Sequence, residues 1–206
     1  MSHANQCDRP MTPDAALEQL MAGNARYVEG CMTSENLPAA RPNLAAGQSP
    51  YAAIIRCADS RVAPEIVFDQ PLGDLFVCGV AGNIPTSEII ASMEFGVVVL
   101  GAKAIVVMGH SGCGAVSAAV KHRHDTSALP GRLPDLIDQI VPCISGVASD
   151  DAASIAQAIA INALHGVDLL RAGSQILADA VKAGDLKIVA GVQDLASGRF
   201  TLVEGH

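Results

Sequence analysis

The sequence predicts an α/β fold: a mainly parallel central β-sheet flanked by helices, with an antiparallel C-terminal edge strand and an N-terminal helical arm. Three observations predict it. Short, β-branched apolar runs at 52–56, 75–78 and 104–108 are continuous rather than alternating, as expected of parallel strands buried on both faces. Each run is followed by turn chemistry and a helical segment, the alternation from which parallel sheets with right-handed crossovers are built. Half of the residues are hydrophobic, 17% are charged and 3% aromatic, with no Trp, so Ala, Val, Ile and Leu must build the interior, which suits a sheet covered by helices.

The elements follow in chain order. Thr12, Pro13, Asp14 and the amphipathic run after them read as an N-cap, a proline at the first helical position and a helix ending near Gly23-Asn24 or at Gly30. Pro38, Pro42, Gly47 and Pro50 mark a polar connector behind it. Helices are expected at 64–68 and 87–100, and from near Cys113 to about Lys121. Leu133-Pro134-Asp135 opens another, and 151–170 carries Ile155, Ile159, Ala163, Val167 and Leu170 at helical spacing. A shorter helix at 174–182 stops at Gly184. The runs 187–192 and 200–203, joined through Ser197-Gly198, read as a hairpin whose last strand lies at the sheet edge. The 206 residues are taken as one domain, with an arm over about 13–50 and a core over about 51–203.

Thirteen basic against twenty-one acidic residues give a net charge of −8 without any basic run, which argues against nucleic acid or an anionic membrane as partner. The apolar stretch 89–100 is interrupted by Ser92 and Glu94 and falls short of the roughly 18 residues of a membrane span. Residues 1–14 carry no apolar signal region, so a soluble, cytoplasmic protein with a small partner is expected. Six cysteines in a chain of this length do not form the dense framework of a small secreted domain, and reduced thiols, some of them metal-binding, are the simpler reading.

His110-Ser111-Gly112-Cys113-Gly114 follows the run 104–108 and precedes a helix, so His110 and Cys113 sit at the carboxyl end of a buried strand. Cys57-Ala58-Asp59-Ser60-Arg61 occupies the same place after another strand. Neighbouring parallel strands would bring Cys57, His110 and Cys113 within reach of one ion. Three protein ligands, rather than four, suit a catalytic zinc that keeps one tetrahedral position open, and thiolates with one imidazole favour zinc over magnesium or manganese. Asp59, two residues after a ligand, could close the site itself; a planar fork from Arg61 would hold it off the metal and keep it ionised.

Taken singly, these residues have plainer readings. Each cysteine can be a small buried hydrophobe, His110 a structural histidine, and Asp59 with Arg61 a solvated pair. The segment 110–114 could also cradle a phosphate at a helix N-terminus, although it lacks the Lys of a P-loop and the spacing of a dinucleotide fingerprint. As a set on two adjacent strand ends they read as a metal site. Cys7, Cys31, Cys78 and Cys143 have no partner at ligand spacing and read as structural, and His122 and His124 as a solvated helix end.

With Gly73-Asp74-Leu75-Phe76-Val77 and Ala81-Gly82-Asn83 between them, these two motifs resemble the β-class carbonic anhydrases. Gly23-Asn24-Ala25-Arg26-Tyr27-Val28, Gln48-Ser49-Pro50, Met93-Glu94-Phe95-Gly96 and Asp194-Leu195-Ala196-Ser197-Gly198 extend the resemblance over roughly residues 13–203. The resemblance implies one Zn2+ per subunit on Cys57, His110 and Cys113, and reversible hydration of carbon dioxide to bicarbonate and a proton by zinc-bound hydroxide, oriented by an Asp59–Arg61 dyad. It also implies self-association as a homodimer or dimer of dimers, with Gln48, Phe76, Ala81, Gly82 and Phe95 at positions lining the substrate pocket near the interface. Two thiolates cancel the zinc charge, so activity is expected to rise toward alkaline pH. Two rivals fit the same residues: a hydrolase of a carbon dioxide analogue such as carbon disulfide, and a non-catalytic zinc or redox-responsive thiol protein.

The chain departs from the family pattern at two places. Gly79 stands where an Arg is usual, and Arg56 stands before the first ligand, where a small residue is usual. If the strands at 52–56 and 75–78 are neighbours, positions 56 and 79 lie side by side and Arg56 returns the guanidinium that Gly79 lacks. Ile54 also replaces a Trp with which some members hold a regulatory bicarbonate, so bicarbonate-controlled closing of the site by Asp59 is expected to be absent or altered.

Overall fold

A computed structural model describes residues 12–34 and 38–204. The expected sheet is present. Strands β1 (Ala52–Arg56), β2 (Leu75–Gly79), β3 (Ala104–His110), β4 (Lys187–Gln193) and β5 (Phe200–Val203) lie in the order β2-β1-β3-β4-β5, parallel except for the antiparallel β4–β5 pair. Strand β3 runs two residues past its apolar stretch because Gly109 and His110 pair with Val192 and Gln193, which carries His110 to the end of the sheet.

The pleat sends alternate residues of each strand to opposite faces. Ala53, Ile55, Ile105 and Val107 share one cluster with Met93 of α4 (Ser87–Val98), Ala163, Val167 and Leu170 of α7 (Ala152–Gly173), and Leu177 of α8 (Gln175–Ala183). Ala52, Ile54, Ala104, Val106 and Met108 share another with Ala16 and Leu20 of α1 (Pro13–Glu29) and Val67 of α3 (Pro64–Val67). A third cluster gathers Cys57, Cys113, Val116 and Val120 with Ile137, Ile140, Ile144 and Ile159 at the carboxyl end of the strands. It draws on α5 (Gly114–Lys121) and α6 (Leu133–Ile137).

Thr12 caps α1 by accepting from the Ala15 N–H, and the helix ends at Gly30, whose φ is 71°. It passes through Gly23-Asn24 because this pair is a docking point. A Cβ on Gly23 would sit 1.7 Å from the Phe68 carbonyl oxygen. Buried Asn24 donates to the Val67 and Gly198 carbonyls at 3.0 Å each and accepts from the Phe200 N–H at 2.8 Å. Next to it Arg26 pairs with the fully buried carboxylate of Asp69, which also accepts from the Thr33 and Ser34 backbone N–H groups.

Two short pieces were not legible in the sequence: α2 (Arg41–Ala46) within the connector, following a 3₁₀ turn, and a second 3₁₀ turn at Val141–Ile144. Helix α7, which contains an 18-residue stretch with a mean hydropathy of 1.3, is long and apolar enough by composition to cross a membrane. It instead lays its apolar face on β3 and β4. Capping by Asp151, whose side chain accepts from the Ser154 N–H, sets its start.

Candidate metal centre

Strands β1 and β3 are neighbours, with Arg56 opposite Met108, so the residues after them meet at the carboxyl end of the sheet. The Cys57 and Cys113 sulfurs lie 3.9 Å apart, and these atoms and a His110 ring nitrogen all fall within 4.8 Å of one another. All three residues are buried. His110 is turned by a contact the sequence did not reveal: its Nδ1 lies 3.0 Å from the Ser111 carbonyl. A carbonyl only accepts, so Nδ1 carries the proton and Nε2 keeps its lone pair. That Nε2 is buried without any hydrogen-bond partner. A buried polar atom left unpaired is costly unless a ligand meets it, and a lone pair facing two sulfurs is the donor set of a soft cation. The residues therefore fit zinc.

The electrostatics agree. The Cys57 thiol is lowered well below its ordinary range, chiefly by the hydrogen bond from Cys113 and also by His110 and the Gly82 N–H. Cys113 is pushed up by the Cys57 sulfur and by burial. Two sulfurs this close titrate as a pair, each shifting the other, and a cation that takes both as thiolates displaces their protons. Burial works against a charged His110, but the Cys57 sulfur, the Ser111 carbonyl and the Asp59 carboxylate together outweigh it and raise the imidazole pKa.

Asp59 and Arg61 form the expected fork. Arg61 donates from Nε to Oδ1 at 2.9 Å and from Nη2 to Oδ2 at 2.7 Å, and its backbone N–H reaches Oδ1 at 2.9 Å. These bonds hold the Asp59 carboxyl well below the usual carboxylate range. Its Oδ2 lies 3.9 Å from His110 Nε2, so the carboxylate stands beside the three donors without joining them.

The other expected site residues divide. Gly82 belongs to the centre: its N–H donates to the Cys57 sulfur at 3.3 Å. Ala81 lines a small apolar pocket with Gly114, Ala115 and Ala118, next to Cys113. Phe76 and Phe95 pair with each other, ring centroids 6.2 Å apart. Phe76 lies opposite Ala53 and three residues before the end of β2, four residues below the level of Cys57 and so roughly 13 Å down the strand from it at about 3.3 Å per residue. Gln48 is exposed on the connector. One chain thus does not bring Gln48, Phe76 and Phe95 to the cysteines.

Arg56 and Gly79 are register partners. The Arg56 guanidinium carbon lies 3.3 Å from where a Gly79 Cβ would stand, and Nη1 donates to the Cys57 carbonyl at 2.7 Å. The guanidinium therefore does cover the glycine. Asn162 of α7, which donates to the Gly82 carbonyl at 2.9 Å, was missed; an amide on the apolar stripe of that helix is the signal that could have found it. Among the described residues Cys31, Cys78 and Cys143 join no metal-binding group, although Cys31 is exposed rather than part of a core. Cys7 lies outside the described residues.

The family model described as carbonic anhydrase matches residues 52–200. Carbonic anhydrase 2 of Mycobacterium tuberculosis is 37% identical over 191 residues, 92% of either chain. The carbonic anhydrase of Mycolicibacterium smegmatis is 35% identical over 192 residues, 92% of this chain and 93% of its own. Among solved structures, the β-carbonic anhydrase CcaA superposes with a TM-score of 0.72 at 26% identity, over 92% of this chain and 95% of that one. With a family model spanning most of its length and such relatives along nearly all of it, the chain belongs to the β-carbonic anhydrases, a family of zinc enzymes.

Proposed function

We propose that the chain catalyses reversible hydration of carbon dioxide to bicarbonate and a proton, with zinc on Cys57, His110 and Cys113 and with Asp59 and Arg61 as its catalytic pair. The observation that carries this reading is the buried, unpaired Nε2 of His110 facing two sulfurs beside a carboxylate already committed to Arg61. When bound, zinc supplies the Lewis acidity that makes water a nucleophile near neutral pH.

The chain's own residues do the rest. Asp59, ionised, only accepts hydrogen bonds. At its position beside His110 Nε2 it takes the nucleophile's proton in a hydrogen bond and so turns a lone pair toward carbon. Arg61 holds both carboxylate oxygens, which keeps Asp59 charged and away from the ligand position. Ala81 with Gly114 and Ala115 offers an apolar wall that suits a substrate without charge.

Self-association completes the pocket in this reading. Phe95 and Val98 of α4 and Val99 just after it are 47%, 63% and 62% exposed, and apolar side chains exposed together in this way are what a second copy covers. Gln48, Phe76 and Phe95 would then serve the site of the partner copy, Gln48 offering an amide donor to substrate oxygen. Neither rival, the carbon dioxide analogue hydrolase or the non-catalytic thiol protein, gains a supporting observation.

Stopped-flow hydration of carbon dioxide by zinc-replete protein tests the assignment. Asp59→Asn should lower kcat by about 10²- to 10⁴-fold, the usual worth of a positioned proton acceptor. Hydration no faster than buffer, or an Asp59→Asn variant as fast as the parent, would refute it.

A further inference from the structure

We propose that Asn162 is a positioning residue for the metal centre: from the buried face of α7 it pins the Gly82 carbonyl, and the N–H of the same residue, on the preceding peptide plane, sets the place and donor strength of the Cys57 sulfur. The inference rests on Cys57 being a zinc ligand, as read above.

Asn162 is 5% exposed and sits among Ala158, Ile159, Ala163 and Gly166, all buried on the same helix. A buried amide is unfavourable unless its hydrogen bonds are made. Here Nδ2 donates to the Gly82 carbonyl at 2.9 Å, while Oδ1 faces the Cys143 thiol at 4.0 Å. Gly82 is thereby held at both ends, its carbonyl by Asn162 and its N–H on the Cys57 sulfur at 3.3 Å. Its φ is 78°, and a Cβ there would stand 2.7 Å from Ile140 Cδ1. A left-handed glycine has the loosest backbone of any residue, so an outside anchor decides whether its N–H stays on the sulfur. An N–H bond to a thiolate withdraws electron density from it, and such outer contacts typically govern metal affinity by about 10- to 100-fold.

The test uses the full chain loaded with zinc or cobalt(II). Asn162→Ala removes the anchor, and Asn162→Asp keeps its shape but sets a carboxylate against the Gly82 carbonyl. Leu170→Ala is the control: this fully buried residue of α7 packs in the cluster on the sheet face and costs stability without touching Gly82. Both Asn162 variants should shift the thiolate-to-cobalt charge-transfer band to longer wavelength and release zinc to a chelator about 10- to 100-fold faster, whereas Leu170→Ala should leave band and release rate unchanged.

Asn162 variants that lose stability but keep the parent's band and release rate would overturn the proposal, since that is what a purely structural amide predicts. Failure of the zinc reading itself looks different: the parent would then show no thiolate charge-transfer band. Should neither Asn162 variant fold, the unsubstituted chain loaded with cadmium-113 decides by NMR. Scalar coupling between the metal and the Gly82 amide proton, together with coupling from the Asn162 amide to the Gly82 carbonyl, supports the relay; absence of either refutes it.

Discussion

Arg56 and Gly79 offer a direct test of compensation between neighbouring strands. Arg56 donates to the Cys57 carbonyl at 2.7 Å and spreads its guanidinium over Gly79, with Cζ at 3.3 Å and Nε and Nη2 at 3.5 Å from a Cβ built there. Arg56→Ala loses one charge-assisted hydrogen bond, worth about 1.5–3 kcal/mol in general and about 1–2 kcal/mol at this only part-buried position. Gly79→Arg, with Arg56 kept, sets two guanidinium groups about 4 Å apart. Their repulsion is about 1–4 kcal/mol between the dielectric of water and that of a protein surface. The two single losses together are roughly 2–6 kcal/mol. In the double variant the new guanidinium enters the space Arg56 vacates and recovers the bond to the Cys57 carbonyl, so the loss should fall to about 1 kcal/mol. Urea denaturation of the zinc-loaded protein, at fixed protein and zinc concentrations, measures all four corners of the cycle. Single losses that add within about 0.5 kcal/mol, as they do at independent sites, would refute the exchange.

Other predictions concern the arm and the metal. Asn24→Ala unpairs the Phe200 N–H and two carbonyls inside the protein; a loss of about 3 kcal/mol is expected from urea midpoints, and under about 1 kcal/mol would contradict the docking role. Burial tends to raise the Asp69 carboxyl, but hydrogen bonds from Thr33, Ser34 and Arg26 outweigh it and hold the carboxyl below its ordinary value. The stability that Asp69 adds over Asp69→Asn is thus complete above about pH 5 and shrinks as pH falls through about 4, where the unfolded chain takes up the proton; a gap that grows on acidification would reverse the sign. Hydration activity should climb toward alkaline pH because two thiolates leave less charge on zinc than three imidazoles; a profile flat between about pH 6 and 9 would contradict this. Chelation of the metal should lower the melting temperature, and restored zinc should recover it.

The strands were legible because burial on both faces leaves unbroken apolar runs, and the three donors because each ends or follows such a run. Local signals left a choice open where distant contacts decide. Gly23-Asn24 looks like a helix stop, yet the helix continues, held by Val67, Phe68 and Phe200 far along the chain. Asn162 was hidden for the converse reason: the apolar residues around it announce a core helix, and its purpose shows only when the Gly82 carbonyl arrives. The motif gave Gln48, Phe76 and Phe95 together with Ala81, but within one chain Phe76 sits well down its strand, paired with Phe95 of α4, and Gln48 lies on the connector ahead of β1.

The strand order has a further consequence. From β1 the chain moves first to β2 on one side and then to β3 on the other, so its course reverses at β1, and a crevice opens where connections leave in opposite directions. Cys57 stands on one bank of that crevice, His110 and Cys113 on the other. A zinc ion there would cross-link these two neighbouring strands from their open end, like a clasp, so that parting β1 from β3 and letting go of the metal would become one event.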